Sequence, residues 1–150
     1  MFLIFSPGTK PNIERYGTIR EISIYGNGKV AGGTLFGTYH VFTVLRTAQG
    51  KFILLEVERC DNGKINIHVE MEDSEKEVVA KRSNRNAVAT LWRSEEVNAS
   101  ASSVQEIINE YHNYCYDALA KSCRTFVDAI CSACGASIRC TMPDEWWALW

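Results

Sequence analysis

Residues 116–135 read YDALAKSCRTFVDAICSACG, and the fold hinges on where a helix begins inside them. Phe126, Val127 and Ile130 recur at helical steps, Ser122 is an N-cap residue type and Gly135 supplies a stop, so the spacing predicts a helix from about Ser122 to Cys134. Cys123 then has two readings. It lies in phase with the apolar stripe, three, four and seven residues before Phe126, Val127 and Ile130, as a buried small thiol would. It is also the first helical residue after the cap, where unpaired backbone N–H groups and the positive end of the helix dipole stabilise a thiolate. Lys121 and Arg124 act in the same direction. The local sequence leaves both readings open.

Working towards the N-terminus, Ser103 and Glu106 form a capping-box pattern, followed by Val104, Ile107, Ile108, Tyr111, Cys115, Ala118 and Leu119 at helical spacing. A first C-terminal helix is expected there. The hundred residues before it read mainly as β. GTIREISIYG (17–26), TYHVFTVLR (38–46), KFILLEVER (51–59) and KINIHVEM (64–71) are rich in β-branched and aromatic residues and are separated by GNGKVAGG, TAQG and DNG. The four-residue spacing between the second and third runs predicts an antiparallel hairpin, and Asp61-Asn62-Gly63 predicts the next turn. Residues 73–101 are polar and read as a connector with one short strand near 87–92. The expectation is therefore a single α+β domain over 1–150. Its antiparallel β-sheet (about 17–92) packs against two C-terminal helices (about 103–135), and a Trp-rich tail follows at 141–150.

Composition narrows the function classes. The chain has 150 residues, 46% of them hydrophobic, and a formal charge of -2, with none of the Lys/Arg excess that nucleic-acid binding would require. The apolar run Phe2–Phe5 is too short for a leader or a membrane span and has no basic residues before it. A cytoplasmic protein with no membrane span and no nucleic-acid partner is expected. The alternative is a secreted chain whose leader has been trimmed, towards which the sequon Asn98-Ala99-Ser100 points. MPDEWWALW holds three of the four tryptophans, and that much aromatic surface calls either for packing on the sheet or for contact with a partner or a second copy.

A nucleophilic thiol needs a base, normally an imidazole. His112 is expected on the surface in the middle of the first helix, and His68, in phase with Asn66 and Glu70, on the solvent face of its strand. His40 opens the strand HVFTVLR directly after a Gly-rich loop, where a side chain can project into a cleft.

A strand opening with His40, a hairpin into LLEVER, a connector, a helix, and then Tyr116-x6-Cys123-x2-Phe126 opening another helix resembles the circularly permuted papain-like superfamily. That group includes PPPDE-type isopeptidases, lecithin:retinol acyltransferase-like enzymes and NlpC-type peptidases. The resemblance covers roughly residues 35–135. It implies a permuted papain-like fold and a dyad in which Cys123 attacks a carbonyl carbon and His40 shuttles the proton, on the amide or isopeptide bond of a protein or peptide. The backbone N–H of Cys123 would be one oxyanion donor. A lipid substrate for an acyltransferase or thioesterase, with the same dyad, is the alternative. The chain departs from the family pattern in having Ser122 rather than Asn before the cysteine and Val41 rather than an aromatic after the histidine. Those departures leave room for a non-catalytic interaction protein on the same scaffold. For the group orienting the imidazole, a hairpin centred near Gln49 places Glu58 opposite His40, with Glu56 two residues away.

Cys131-x2-Cys134-x5-Cys140 offers three thiols, to which Cys115 or Cys123 could add a fourth metal ligand. Structural zinc is usually built from two CxxC knuckles, and here there is one, at a helix end. No metal or cofactor is expected. A disulfide between Cys131 or Cys134 and Cys140 or Cys115 is the other use weighed, beside plain packing of the thiols.

Overall fold

The computed structural model describes residues 8–27, 40–117 and 119–140. Its first four strands fall within a few residues of the expected runs: β1 Thr18–Gly26, β2 Val41–Thr47, β3 Phe52–Arg59 and β4 Ile65–Glu72. All neighbours pair antiparallel, with Thr43 opposite Leu55 and Arg46 opposite Phe52, so the β2–β3 hairpin is centred on residue 49 as its turn predicted. The Trp-rich tail and the run Phe2–Phe5 lie outside the described residues.

The connector holds more structure than its polarity suggested. Ser74 caps a one-turn helix, α1 (Glu75–Val79), by accepting from the Glu77 N–H. The short strand expected near 87–92 is the start of an eleven-residue strand, β5 (Thr90–Ser100). It pairs with β1 and completes a five-stranded antiparallel sheet in the order β4-β3-β2-β1-β5. β5 lies at the sheet edge and exposes alternate residues such as Ser94, Glu96 and Asn98, which is why it reads as polar. Trp92 lies over Gly26, where any Cβ would stand about 2 Å from the indole. Glycine there lets β1 end flat beneath the ring, directly before Asn27.

The two longer helices lie on one face of the sheet. Helix α2 spans Ala101–Tyr111 and α3 spans Cys123–Ala133. The first begins earlier than expected. Ser100, the last residue of β5, is its N-cap and accepts from the Ser103 N–H, so Ser103 is not the cap. It also ends earlier, at Tyr111. His112 leaves the helix in extended backbone, Asn113 takes a φ of 69°, and the chain then runs along the start of β4. Asn113 N–H donates to the Ile65 carbonyl, Ile65 N–H to that of Tyr114, and Tyr116 N–H to that of Gly63. Cys115 and Leu119 therefore lie outside any helix. Helix α3 matches its prediction closely, from the Ser122 cap to Gly135, whose φ of 72° ends it.

Sheet positions alternate between two cores. Ile22, Val41, Leu45, Ile53, Leu55 and Val57 face α2 and α3, where Phe126 is wholly buried and meets the Tyr111 ring edge-on at 5.2 Å. Truncating Phe126 to Ala would cost about 3–5 kcal/mol. The opposite face carries Tyr25, Phe42, Val44 and Leu54 beneath Val78 of α1. The Tyr25 hydroxyl donates to Glu75, tying α1 down. No helix among the described residues is long and apolar enough to cross a membrane.

Candidate active site

His40 precedes the first residue of β2, and its backbone is fixed before its side chain is considered. Its N–H donates to Asn27 Oδ1 at 2.8 Å, and its carbonyl accepts from the Asn27 N–H at 3.2 Å. In phase with Phe42 and Val44, the imidazole leans towards the α1 face of the sheet. There Nε2–H donates to Glu56 Oε2 at 2.6 Å.

Glu56 is a carboxylate in the middle of β3 with its side chain only 1% exposed. It is fully occupied. One oxygen holds His40, and the other accepts from the backbone N–H of Ser83 at 2.8 Å and from its hydroxyl at 2.9 Å. Burial alone would raise this carboxyl, but the bonds from His40 and Ser83 outweigh it and hold Glu56 below the ordinary range. Glu58, expected to orient the imidazole, does not touch it. Continued past its last pair, Thr43–Leu55, the register would bring Glu58 opposite His40, yet the Glu58 carboxylate accepts from Asn66 Nδ2 at 2.8 Å and shares the single Ser83 hydroxyl proton with Glu56. The diagonal neighbour, Glu56, takes the imidazole instead, because the ring leans along the strand and Ser83 holds that carboxylate in place.

Cys123 is the first residue of α3, as its sequence position required. Ser122 accepts from the Thr125 N–H while Thr125 Oγ1 accepts from the Ser122 N–H, a closed capping box that sets the helix start. The Cys123 thiol and the His40 imidazole line the same cleft, and the thiol is close enough to the imidazole and to the Val41 backbone N–H for both to act on its titration. Since Nε2 is engaged by Glu56, Nδ1 is the ring nitrogen left for sulfur. Cys123 is 8% exposed and packs in the core, and it also lines a cleft. Burial opposes the thiolate, but His40, the Val41 N–H and Arg124 together draw the thiol below its ordinary pKa. Burial likewise opposes the imidazolium, and the interactions with Cys123 and Glu56 overcome it, pushing His40 up to about 9. Both shifts run in the direction that favours thiolate and imidazolium.

The cleft that receives this pair has a volume of about 480 Å³. The connector after α1 forms one wall, with Ser83, Ala87, Val88 and Ala89, while Val57, Arg59 and Tyr116 form another. Arg82 stiffens the connector by donating to the carbonyls of Val79, Arg85 and Ala87.

The other candidates separate. His112 is buried rather than on the surface: Nδ1 accepts from the Ile67 N–H at 3.2 Å and Nε2–H donates to the Gly8 carbonyl at 2.8 Å, so this histidine joins the N-terminal segment to β4. His68 is half-buried on β4 and donates to the Lys81 carbonyl at 3.1 Å, steadying the connector. All six cysteines are free thiols, so the considered disulfides are absent, and no three His, Cys, Asp or Glu side chains among the described residues converge on a metal position. Burial pushes Cys131 up to about 12 and Cys134 up to about 11, which makes both inert packing groups. Asn27 and Ser83 escaped the sequence reading. Asn27 follows a strand end in a Gly-rich loop and Ser83 lies in an aperiodic connector, so neither carried a local signal. Comparison with protein families, with curated proteins and with solved structures found no match for this chain.

Proposed function

We propose that this protein is a cysteine hydrolase acting on an amide or isopeptide bond, with Cys123 as nucleophile, His40 as acid–base and Glu56 as the group that orients the imidazole. One observation carries this reading: a thiol at the start of a helix shares a cleft with an imidazole whose Nε2 is held at 2.6 Å by a carboxylate 1% exposed. A buried carboxylate with every donor aimed at it is costly to build and contributes little to a merely structural histidine. The order of the parts, with histidine at the start of a strand and cysteine at the start of a later helix, supports a permuted papain-like arrangement. Six free thiols fit a reducing compartment such as the cytoplasm.

In the first half-reaction the Cys123 thiolate adds to the carbonyl carbon. The imidazolium of His40 then protonates the leaving amine as the C–N bond breaks, leaving an acyl-thioester. A water deprotonated by His40 hydrolyses the thioester, releasing the acid and restoring the pair. As the first helical residue, Cys123 has no intrahelical partner for its backbone N–H, which is free to donate to the oxyanion.

The test is site-resolved alkylation by iodoacetamide across pH, read by mass spectrometry in wild type and His40→Ala. Rapid labelling of Cys123 below about pH 7 that disappears without His40 supports the dyad. A Cys123 that resists labelling until the protein unfolds would end it.

A further inference from the structure

Two carboxylates and two arginines line the cleft, and three of these four charged groups are already engaged. Glu56 holds His40 and Ser83, Glu58 takes Asn66 and Ser83, and Arg82 donates to three backbone carbonyls. Arg59 differs. It is exposed, and its guanidinium carbon stands 5.2 Å from the centre of the Tyr116 ring; it makes no ion pair with any described carboxylate. A guanidinium over an aromatic face uses none of its five N–H donors, so Arg59 keeps them for a ligand in the cleft it lines. Tyr116 and Cys123 line the same cleft.

We infer that Arg59 is the anion subsite of this cleft: it receives a carboxylate carried by a peptide substrate while Cys123 attacks a carbonyl of the same chain. The inference rests on Cys123 being the nucleophile. A planar carboxylate is the group that two parallel N–H bonds from one guanidinium fit best. Phe42, Val57 and Val88 supply apolar surface for the intervening chain. The carboxylate can come from a peptide C-terminus or from an acidic side chain, and both present the same group to Arg59.

The experiment uses thiol-reactive probes matched except in charge. N-(2-carboxyethyl)maleimide and its methyl ester are reacted with the full chain, and the rate of Cys123 adduct formation is read for each by mass spectrometry. Taking the ratio of the two rates cancels any change in thiolate fraction between variants. The ratio is expected to fall about five- to tenfold in Arg59→Gln, with Arg59→Lys between the two because charge is kept and the fork is lost. Maleimidopropionyl-Ala-Ala with a free C-terminus and maleimidopropionyl-Ala-Asp-amide then identify the source of the carboxylate, since only the productive one should show the Arg59 dependence. A ratio unchanged in Arg59→Gln for every probe overturns the inference. The ester rate alone, compared between wild type and His40→Ala, reports on the dyad. A slow ester reaction indifferent to His40 would sink the hydrolase reading while the carboxylate-to-ester ratio still reports on Arg59.

Discussion

Glu56 holds the His40 imidazole at 2.6 Å, while Glu58, two residues further along β3, turns to Asn66 and Ser83. The two carboxylates, two residues apart on one strand, should therefore separate on substitution. Glu56→Gln is expected to slow Cys123 alkylation at pH 7 by about 10- to 100-fold, whereas Glu58→Gln stays within about threefold of wild type. Equal losses from the two variants would remove Glu56 from its role.

The His40 imidazole should titrate near 9, well above an ordinary histidine, because its interactions with Cys123 and Glu56 outweigh its burial. NMR titration of the ring protons reads this directly, and Cys123→Ser should bring the midpoint down. The sign for stability follows. A group whose pKa is raised on folding stabilises the native state fully below its unfolded value, near 6.5, and loses that contribution as pH climbs through about 9. The urea midpoint difference between wild type and His40→Ala should then be larger at pH 6 than at pH 10. A difference that grows with pH contradicts the assignment.

Ser83 supports the site at one remove, giving Glu56 both its N–H and its hydroxyl. Ser83→Ala removes the hydroxyl and keeps the N–H, a loss of about 1 kcal/mol or roughly fivefold in reactivity. The decrease should appear in kcat more than in KM, together with a lowered His40 midpoint, and Ser83→Thr should restore both. A variant that changes only thermal stability would make Ser83 a plain structural contact.

Ser122 combines cap and placement. Ser122→Ala opens the capping box, costing about 1 kcal/mol of stability and moving Cys123 out of register with His40, while Ser122→Asn, an equally good cap type, should keep both. Chemical denaturation and the alkylation rate, measured on the same samples, check the pair. Wild-type stability in Ser122→Ala would mean that tertiary packing, not the cap, sets the start of α3.

Buried thiols give a fifth contrast. Cys131 and Cys134, pushed up to about 12 and 11, should remain unlabelled in the native protein at pH 8 and react only on unfolding, while exposed Cys115 is open to the reagent in the folded protein. Native-state labelling of Cys131 at rates near that of Cys123 would contradict the burial.

Much of the architecture was legible because its signals are local. Helix α3 announces itself through Ser122, the phase of Phe126, Val127 and Ile130, and Gly135, and the first four strands through composition and turns. What escaped depends on contacts distant in sequence. Helix α2 stops at Tyr111 because His112 is claimed by Gly8 and Ile67, neither visible in a helical repeat. Strand β5 is an edge that shows water its polar side and so lacks an apolar run. The nearness of His40 and Cys123 was suggested only by the order of parts in a resembling superfamily. The choice of Glu56 over Glu58 turned on which way a ring leans and on donors from Ser83, information that no strand pattern contains.

His40 comes in the first third of the chain and Cys123 near its end, with Glu56 and the connector between them. During synthesis the strands that carry the imidazole emerge before the sulfur does. Until α3 docks, that sulfur has neither the His40 imidazole nor the Val41 N–H beside it. A molecule in which α3 has not docked thus lacks the partners that activate this thiol, so the chain stays chemically quiet until the sheet and α3 come together.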